Sequence, residues 1–454
     1  MLDGWSPSSW RSRPVLQQPS YPDEAALRGV TEHIHTLPPL VTSGEIESLK
    51  QELAEVAAGA RFVIQGGDCS ERFADCRTPI VMSKLKLLLQ MSLILLDASQ
   101  MKITRIGRFA GQYAKPRSIL TETREGITLP AYQGDLVNRP GFSVEERTPD
   151  ASNLLAGYQY AALTLNWIRG LVTGNFADIE YPVYSRLDFA EHSPHAEAYR
   201  DALRRLTGSV RFMEACAGAS LRQLMKFELF TSHEGLLLPF EEALSHPVPH
   251  RPGCYNLGAH FLWIGNRTRA LDGAHVEYFR GIENPIGVKI DGAIHLDELV
   301  ELSRLLNPRN VPGKLTFIHR FGASRIEAAL PPIVDAIRRA DRAVVWMCDP
   351  MHGNTVVTDS GVKTRRFSDI LDEVRSAFAV HRGLGSFLGG VHFELTGEDV
   401  TECIGGARDL TADDLSRAYH SLVDPRLNYE QALEMALQVG AQMPKWGGRT
   451  QRLG

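Results

Sequence analysis

A parallel (β/α)8 barrel, with an N-terminal extension and extra helices, is the architecture to expect from this chain. Eight β-rich runs recur along it, longer helical runs alternate with them, and reactive residue types gather where the runs end. The runs are "RFVIQG", "KITRIGR", "KFELFTS", "HFLWIG", "IGVKI", "KLTFIH", "AVVWMC" and "GVHFEL". Between them stand helical segments such as "SKLKLLLQMSLILL", "LPPIVDAIRRA" and "FSDILDEVRSAFAVHR". A doubly wound open sheet is the rival, but no Gly-rich nucleotide fingerprint follows the first run.

In chain order, residues 1–40 are rich in Pro, Ser and Trp and are expected to form an extended N-terminal arm. Thr42 and Glu45 have capping-box spacing, and Ile46, Leu49, Leu53 and Val56 mark one face of the helix they open. Residues 41–445 are expected to form a single catalytic domain, because no Gly/Ser- or Pro-rich linker divides them. An inserted helical region at about 150–225, holding "HAEAYRDALRRLTGSVRFMEACA", exceeds what a minimal barrel needs. Residues 446–454 read as a loose tail.

The totals exclude several classes. With 454 residues, 43% hydrophobic and 23% charged, the composition is that of a globular protein, neither disordered nor membrane-embedded. The longest apolar stretch, "LKLLLQMSLILLDA", is interrupted by Gln90 and Asp97 and flanked by Lys84, which suits a buried helix better than a span. A net charge of −5 argues against broad nucleic-acid binding. Six scattered cysteines do not make a disulfide framework, and the start "MLDGWSPSSWRSRP" has no signal-type apolar core, so a reducing cytoplasm is expected.

Chemistry on such a barrel gathers at the C-terminal ends of the strands. Six cations fall there: Arg108, Lys115, Arg117, Arg267, Lys289 and Arg320. Guanidinium forks match phosphate and carboxylate oxygens, so this ring points to more than one phosphate, or to a phosphate and a carboxylate. For any single one a rim ion pair is an equal alternative; for all six together it is not. A second group comprises Cys69, His352, Glu394 and Asp424. A thiolate, an imidazole and two carboxylates suit a divalent first-row metal: Mn, Co, Zn or Fe. The alternatives are a small buried hydrophobe for Cys69 and a loop-capping hydrogen bond for His352.

The motifs "QGGDC", "AGQYAKPRS", "WIGNRTRALDGAH", "NPIGVK", "CDPMHGNT", "TGEDVTECIGG" and "DPRLN" occur in this order. Through them the sequence resembles the type II 3-deoxy-D-arabino-heptulosonate 7-phosphate (DAHP) synthases, from "WSPSSW" to the last helix. The resemblance implies a TIM barrel that condenses phosphoenolpyruvate with erythrose 4-phosphate, the first step of the shikimate pathway. It implies Cys69, His352, Glu394 and Asp424 as metal ligands, with Mn2+ or Co2+ expected first and Zn2+ or Fe2+ next. Arg108, Arg267, Lys289 and Arg320 would surround phosphoenolpyruvate, and Lys115, Pro116, Arg117 and Ser118 would serve the erythrose 4-phosphate side. Lys289, Glu234 and Arg108 would stand at the reacting centre. The arm and inserted helices resemble parts that longer members use for oligomer contacts and feedback inhibition, so a homo-oligomer, dimer or tetramer, is expected.

Some positions depart from the family pattern. Asn266 stands where most members have an acid, Asp291 where glycine is usual, and Phe321 where methionine is common. Val423 replaces a frequent cysteine, so no disulfide to Cys69 can form there. On a strand, Asp291 would share a face with Lys289 and bring a carboxylate to the cationic mouth. Drift with a compensating ion pair is one account. A specialised paralogue that uses an imino form of the aldose phosphate is another, and a non-catalytic regulatory homologue, disfavoured by the intact ligand set, is a third.

Overall fold

The computed structural model describes residues 4–173, 195–217 and 228–445. Eight parallel strands close into a barrel. They are β1 (Arg61–Gly67), β2 (Lys102–Arg108), β3 (Phe230–Glu234), β4 (Phe261–Ile264), β5 (Ile286–Ile290), β6 (Leu315–His319), β7 (Val345–Cys348) and β8 (Leu388–Glu394). All eight runs expected from the sequence supply a strand. β3 starts later than "KFELFTS" suggested, and residues 221–227 lie outside the described residues.

Side-chain alternation sorts the strands into two cores. Val63, Ile106, Phe261, Trp263, Ile318 and Met347 point inward and pack together. Phe62, Ile64, Phe317, Trp346, Cys348 and Phe393 belong to the outer core, shared with the surrounding helices. The helix Ser43–Ala57 begins with the expected capping box on Thr42 and Glu45. Its Leu49, Leu53 and Val56 join the inward cluster, and Val56 lies close to the start of β8 at Gly389, so this helix closes the N-terminal end of the barrel.

The N-terminal arm is not extended throughout. Asp23 caps a helix, Glu24–Thr36, by accepting from the Ala26 N–H, and the helix-forming run that follows outweighs the Pro-rich flanks. Trp5 and Trp10 are buried, with their indole N–H groups bonded to the Glu277 carbonyl and the Glu242 carboxylate. The inserted region contributes the helices Ser152–Thr173 and Ala196–Ala217. The expectation of a loose tail falls on residues outside those described. Among the described residues one helix, Thr78–Ser99, is long and apolar enough to cross a membrane by length and composition, but two-thirds of its most apolar stretch is buried and it packs against Tyr429–Gln442.

Register prepares the catalytic end. Gly67 of β1 pairs with Arg108 of β2 on one side and Glu394 of β8 on the other. A Cβ at Gly67 would meet the Arg108 carbonyl oxygen at 2.7 Å, so only glycine lets the strands approach so closely at this level.

Candidate active site at the barrel mouth

Four donors converge where β1, β7 and β8 end. Cys69 Sγ, Glu394 and Asp424 present ligand atoms within 4.8 Å of one another. His352 joins them through Nε2, 2.9 Å from Glu394 Oε1. A cation sits among them: Lys115 Nζ lies 2.6 Å from Cys69 Sγ, 2.8 Å from Asp424, 3.3 Å from Glu394 and 3.5 Å from His352 Nε2. The donor set therefore surrounds one point that takes positive charge, and a soft-and-hard mixture of this kind fits a divalent first-row metal.

Neighbours fix these donors. His352 is held by both ring nitrogens, Nδ1 2.7 Å from Asp349 Oδ2 and Nε2 2.9 Å from Glu394 Oε1; with an ion on the donors, Asp349 would keep the proton on Nδ1 and Nε2 would be the ligand atom. Glu394 is fully buried, and the cost of its burial is overcome by His352, Lys115 and Arg365, which hold it well below the usual carboxylate range. Arg365 reaches Glu394 Oε2 at 2.8 Å, and Arg108 reaches Oε1 at 3.2 Å. Burial, reinforced by Glu394, pushes the Cys69 thiol up to about 12, so it needs a cation to ionise. For Lys115, burial is outweighed by Asp424, Cys69 and Glu394, which hold the ammonium above the usual lysine range.

Beside the donors lies a cleft of about 360 Å3. Lys115, Pro116, Arg117, Ser118, Glu234, Arg267, Lys289 and Arg320 all line it, together with His352 and Asp424. Lys289 rises from β5 and lies 2.9 Å from Asp349; its ammonium stands 5.6 Å over the Trp263 ring. Burial, with Arg108 and Arg320 adding repulsion against the pull of Asp349, brings Lys289 down to about 8. Arg320 donates to the His352 carbonyl at 3.1 Å, and Arg267 donates to the Ser118 hydroxyl. Glu234 Oε1 is buried and has no hydrogen-bond partner among the described residues. A larger cleft, about 790 Å3, opens at the other end of the barrel near Val56, Val345 and Leu388, but among the described residues no group of metal-ligating side chains lines it.

The structure brings together all four expected ligands and nearly all the expected cations. Arg108 differs: it is 1% exposed and lies beneath the cleft, donating to the Asp68 and Cys69 carbonyls and to His392 Nε2. Asp291 also differs. It lies just past the end of β5, where its carboxylate accepts from the Asn266 amide at 2.6 Å and from the Ala293 N–H at 3.1 Å, with Arg269 at 3.8 Å. It does not line the cleft, because alternation along β5 stops before it. Val423 packs with Cys69 and Tyr132.

Sequence reasoning missed Arg365, His392 and Lys363, the last of which lines the cleft with its ammonium 3.4 Å from Asp424. Arg365 sits on a short hairpin strand after β7 that carries no metal or phosphate signature, so nothing local marked it. His392 left a trace: it lies two residues before Glu394 on the same face of β8.

Comparison with known proteins decides the relationship. The profile of the class-II DAHP synthetase family matches residues 5–440. The chain belongs to that family. It is 47% identical over 452 residues to the phospho-2-dehydro-3-deoxyheptonate aldolase of Neurospora crassa, covering 96% of this chain and 94% of the relative. The Streptomyces coelicolor protein of the same name is 44% identical over 432 residues, covering 95% and 96%. A Mycolicibacterium smegmatis protein of that name is 40% identical over 437 residues, covering 95% and 93%. The resemblance drawn from the motifs thus holds over nearly the whole chain, and as a member of this family the protein is an enzyme.

Proposed function

We propose that the chain condenses phosphoenolpyruvate with erythrose 4-phosphate and water to give DAHP and inorganic phosphate. The observation that carries this is the convergence of Cys69, His352, Glu394 and Asp424 on a single cation position beside a cleft lined by Lys289, Arg320 and Arg267. A divalent ion on these four donors, Mn2+ or Co2+ before Zn2+ or Fe2+, would supply Lewis acidity for an aldehyde oxygen.

The chain's own residues account for the rest. Lys289, Arg320 and Arg267 hold the phosphate and carboxylate of phosphoenolpyruvate. The stretch Lys115 to Ser118, which meets Arg267 through the Ser118 hydroxyl, holds the phosphate of the aldose. These cations let two anionic substrates lie side by side, so that the methylene carbon of one meets the aldehyde carbon of the other. The new carbon–carbon bond leaves positive charge on the enol carbon and negative charge on the former aldehyde oxygen. Glu234, its Oε1 unpartnered, takes a proton from the water that adds to the enol carbon. Lys289, at about 8, gives a proton to the alkoxide; the hemiketal phosphate then collapses to the ketone as its carbon–oxygen bond to phosphate breaks and the hydroxyl proton leaves with the phosphate, and the proton held by Glu234 returns to Lys289. Arg108 acts through Glu394 and from below the cleft.

The imino-sugar alternative needs a free carboxylate above Lys289, and Asp291 is instead engaged by Asn266 and Arg269. We further propose that residues 41–445 act as one catalytic unit and that the enzyme works in the cytoplasm as a homo-oligomer, with no nucleic-acid or membrane partner. The test is phosphate release from phosphoenolpyruvate with a panel of aldose phosphates and their imino analogues. Turnover should be highest with erythrose 4-phosphate; preference for an imino analogue, or no aldose-dependent phosphate release, would overturn the proposal.

A further inference from the structure

A second group of metal-ligating side chains lies outside the barrel mouth. His319 ends β6 on the outward face, level in register with Cys348 of β7. Glu373 projects toward them from the helix Phe367–Gly383, and the ligand atoms of the three lie within 4.8 Å of one another. All three are completely buried.

Two features of the group are unusual for a packed core. Among the described residues neither ring nitrogen of His319 has a hydrogen-bond partner, although a buried imidazole carries one donor and one acceptor to satisfy. Glu373 accepts from the N–H groups of Phe321 at 2.8 Å and Gly322 at 3.0 Å on one oxygen, and from Asn354 at 2.7 Å on the other. That leaves a lone-pair direction open on the second oxygen. Among the described residues no cation pairs with Glu373, and burial pushes it up to about 7. Close by, His381 has its ring 5.8 Å from that of His319; its Nδ1 lies 2.7 Å from the Ser386 hydroxyl, and its Nε2 is also without a partner among the described residues.

We propose that His319, Cys348 and Glu373 form a second metal site that takes a divalent ion of the zinc class. The charges close: a thiolate and a carboxylate cancel the two positive charges, and a neutral imidazole completes a set that a dry interior accepts. Binding releases the Cys348 thiol proton to solvent, and His381 or a water supplies the fourth position. The cleft of about 790 Å3 at the far end of the barrel is lined by Trp346 and His381, which gives the ion a way in from behind. Bound there, the ion would tie the ends of β6 and β7 together, immediately before Arg320 and Asp349 at the mouth.

The experiment titrates Co2+ into the chelator-stripped, reduced, full-length protein under argon, following the thiolate-to-cobalt absorption in the near ultraviolet. The Cys69→Ser background removes any thiolate signal from the mouth. One equivalent of thiolate-bound cobalt should appear in Cys69→Ser, vanish on adding Cys348→Ser, and weaken roughly tenfold or more on adding His319→Gln. Should the Cys348→Ser protein not fold, His319→Gln decides alone. An absent band in Cys69→Ser would mean that buried water satisfies His319, and would overturn the site; so would a band indifferent to both further substitutions. Catalysis is not the readout, so either result leaves the proposed condensation untouched.

Discussion

The Lys115 ammonium lies 2.6 Å from Cys69 Sγ, at the point on which Asp424, Glu394 and His352 also converge. A divalent ion taken up by these donors must displace it. Lys115→Met should therefore tighten Mn2+ or Co2+ binding, on the order of tenfold, because a charge-assisted contact worth about 1.5–3 kcal/mol no longer competes. The same change should raise the KM for the aldose phosphate, whose phosphate loses a partner. Calorimetric metal titration and steady-state kinetics check both; unchanged metal affinity would show that Lys115 and the ion do not share the position.

Lys289 and Arg320 line the cleft from neighbouring strands. Lys289→Ala and Arg320→Ala should each lower kcat/KM for phosphoenolpyruvate, raising the corresponding activation free energy by roughly 2–5 kcal/mol, since each leaves a buried anion short of a cation. Initial rates at varied phosphoenolpyruvate measure it, and wild-type values in either variant would remove that residue from the anion site.

Asn266 and Asp291 depart from the family pattern together, and they are bonded to each other at 2.6 Å. Replacing each by Ala and then both should give a coupling of about 0.5–1.5 kcal/mol in unfolding free energy. Reverting both, Asn266→Glu with Asp291→Gly, should leave condensation with erythrose 4-phosphate intact. Additive single effects, or lost turnover in the reversion, would contradict the compensating-pair account.

Lys314 donates to the Ile282 and Asn284 carbonyls at 2.5 Å each, and burial, with Lys50 nearby, brings it down to about 7. In the unfolded chain lysine titrates near about 10.4. Below pH 7 both states carry the proton and the folded state bears the full cost of a buried charge. Between these values the unfolded chain binds more protons, so stability rises with pH, by up to about 1.4 kcal/mol per pH unit from this group. Lys314→Met abolishes that slope and should look best, relative to wild type, at low pH. Denaturant titrations from pH 6 to 9 test this; a stability difference flat in pH would contradict the lowered value.

Much of this architecture is legible in the sequence because its signals are local. Alternation such as Val63 in and Ile64 out, and the capping box at Thr42, need only neighbouring residues. Strand ends named Lys289, Arg320 and His352 because a barrel collects them at one rim. Arg365 was invisible because its role is set by a hairpin that folds back over Glu394. For Asp291 the alternation rule and the compensating-pair account pointed different ways, and the pairing with Asn266 and Arg269 follows because β5 ends one residue before it. The helix in the N-terminal arm was hidden by the prolines on either side of it.

The central claim is that Cys69, His352, Glu394 and Asp424 hold a catalytic divalent ion, and the most direct measurement is erythrose 4-phosphate-dependent consumption of phosphoenolpyruvate by chelator-stripped enzyme during stepwise return of Mn2+. Stripped wild-type enzyme should be inactive and regain activity with added Mn2+, and Cys69→Ser should require far more metal for less activity, an alcohol being a poorer ligand than a thiolate. Full activity of the stripped enzyme, or of Cys69→Ser in metal-free buffer, would contradict the claim.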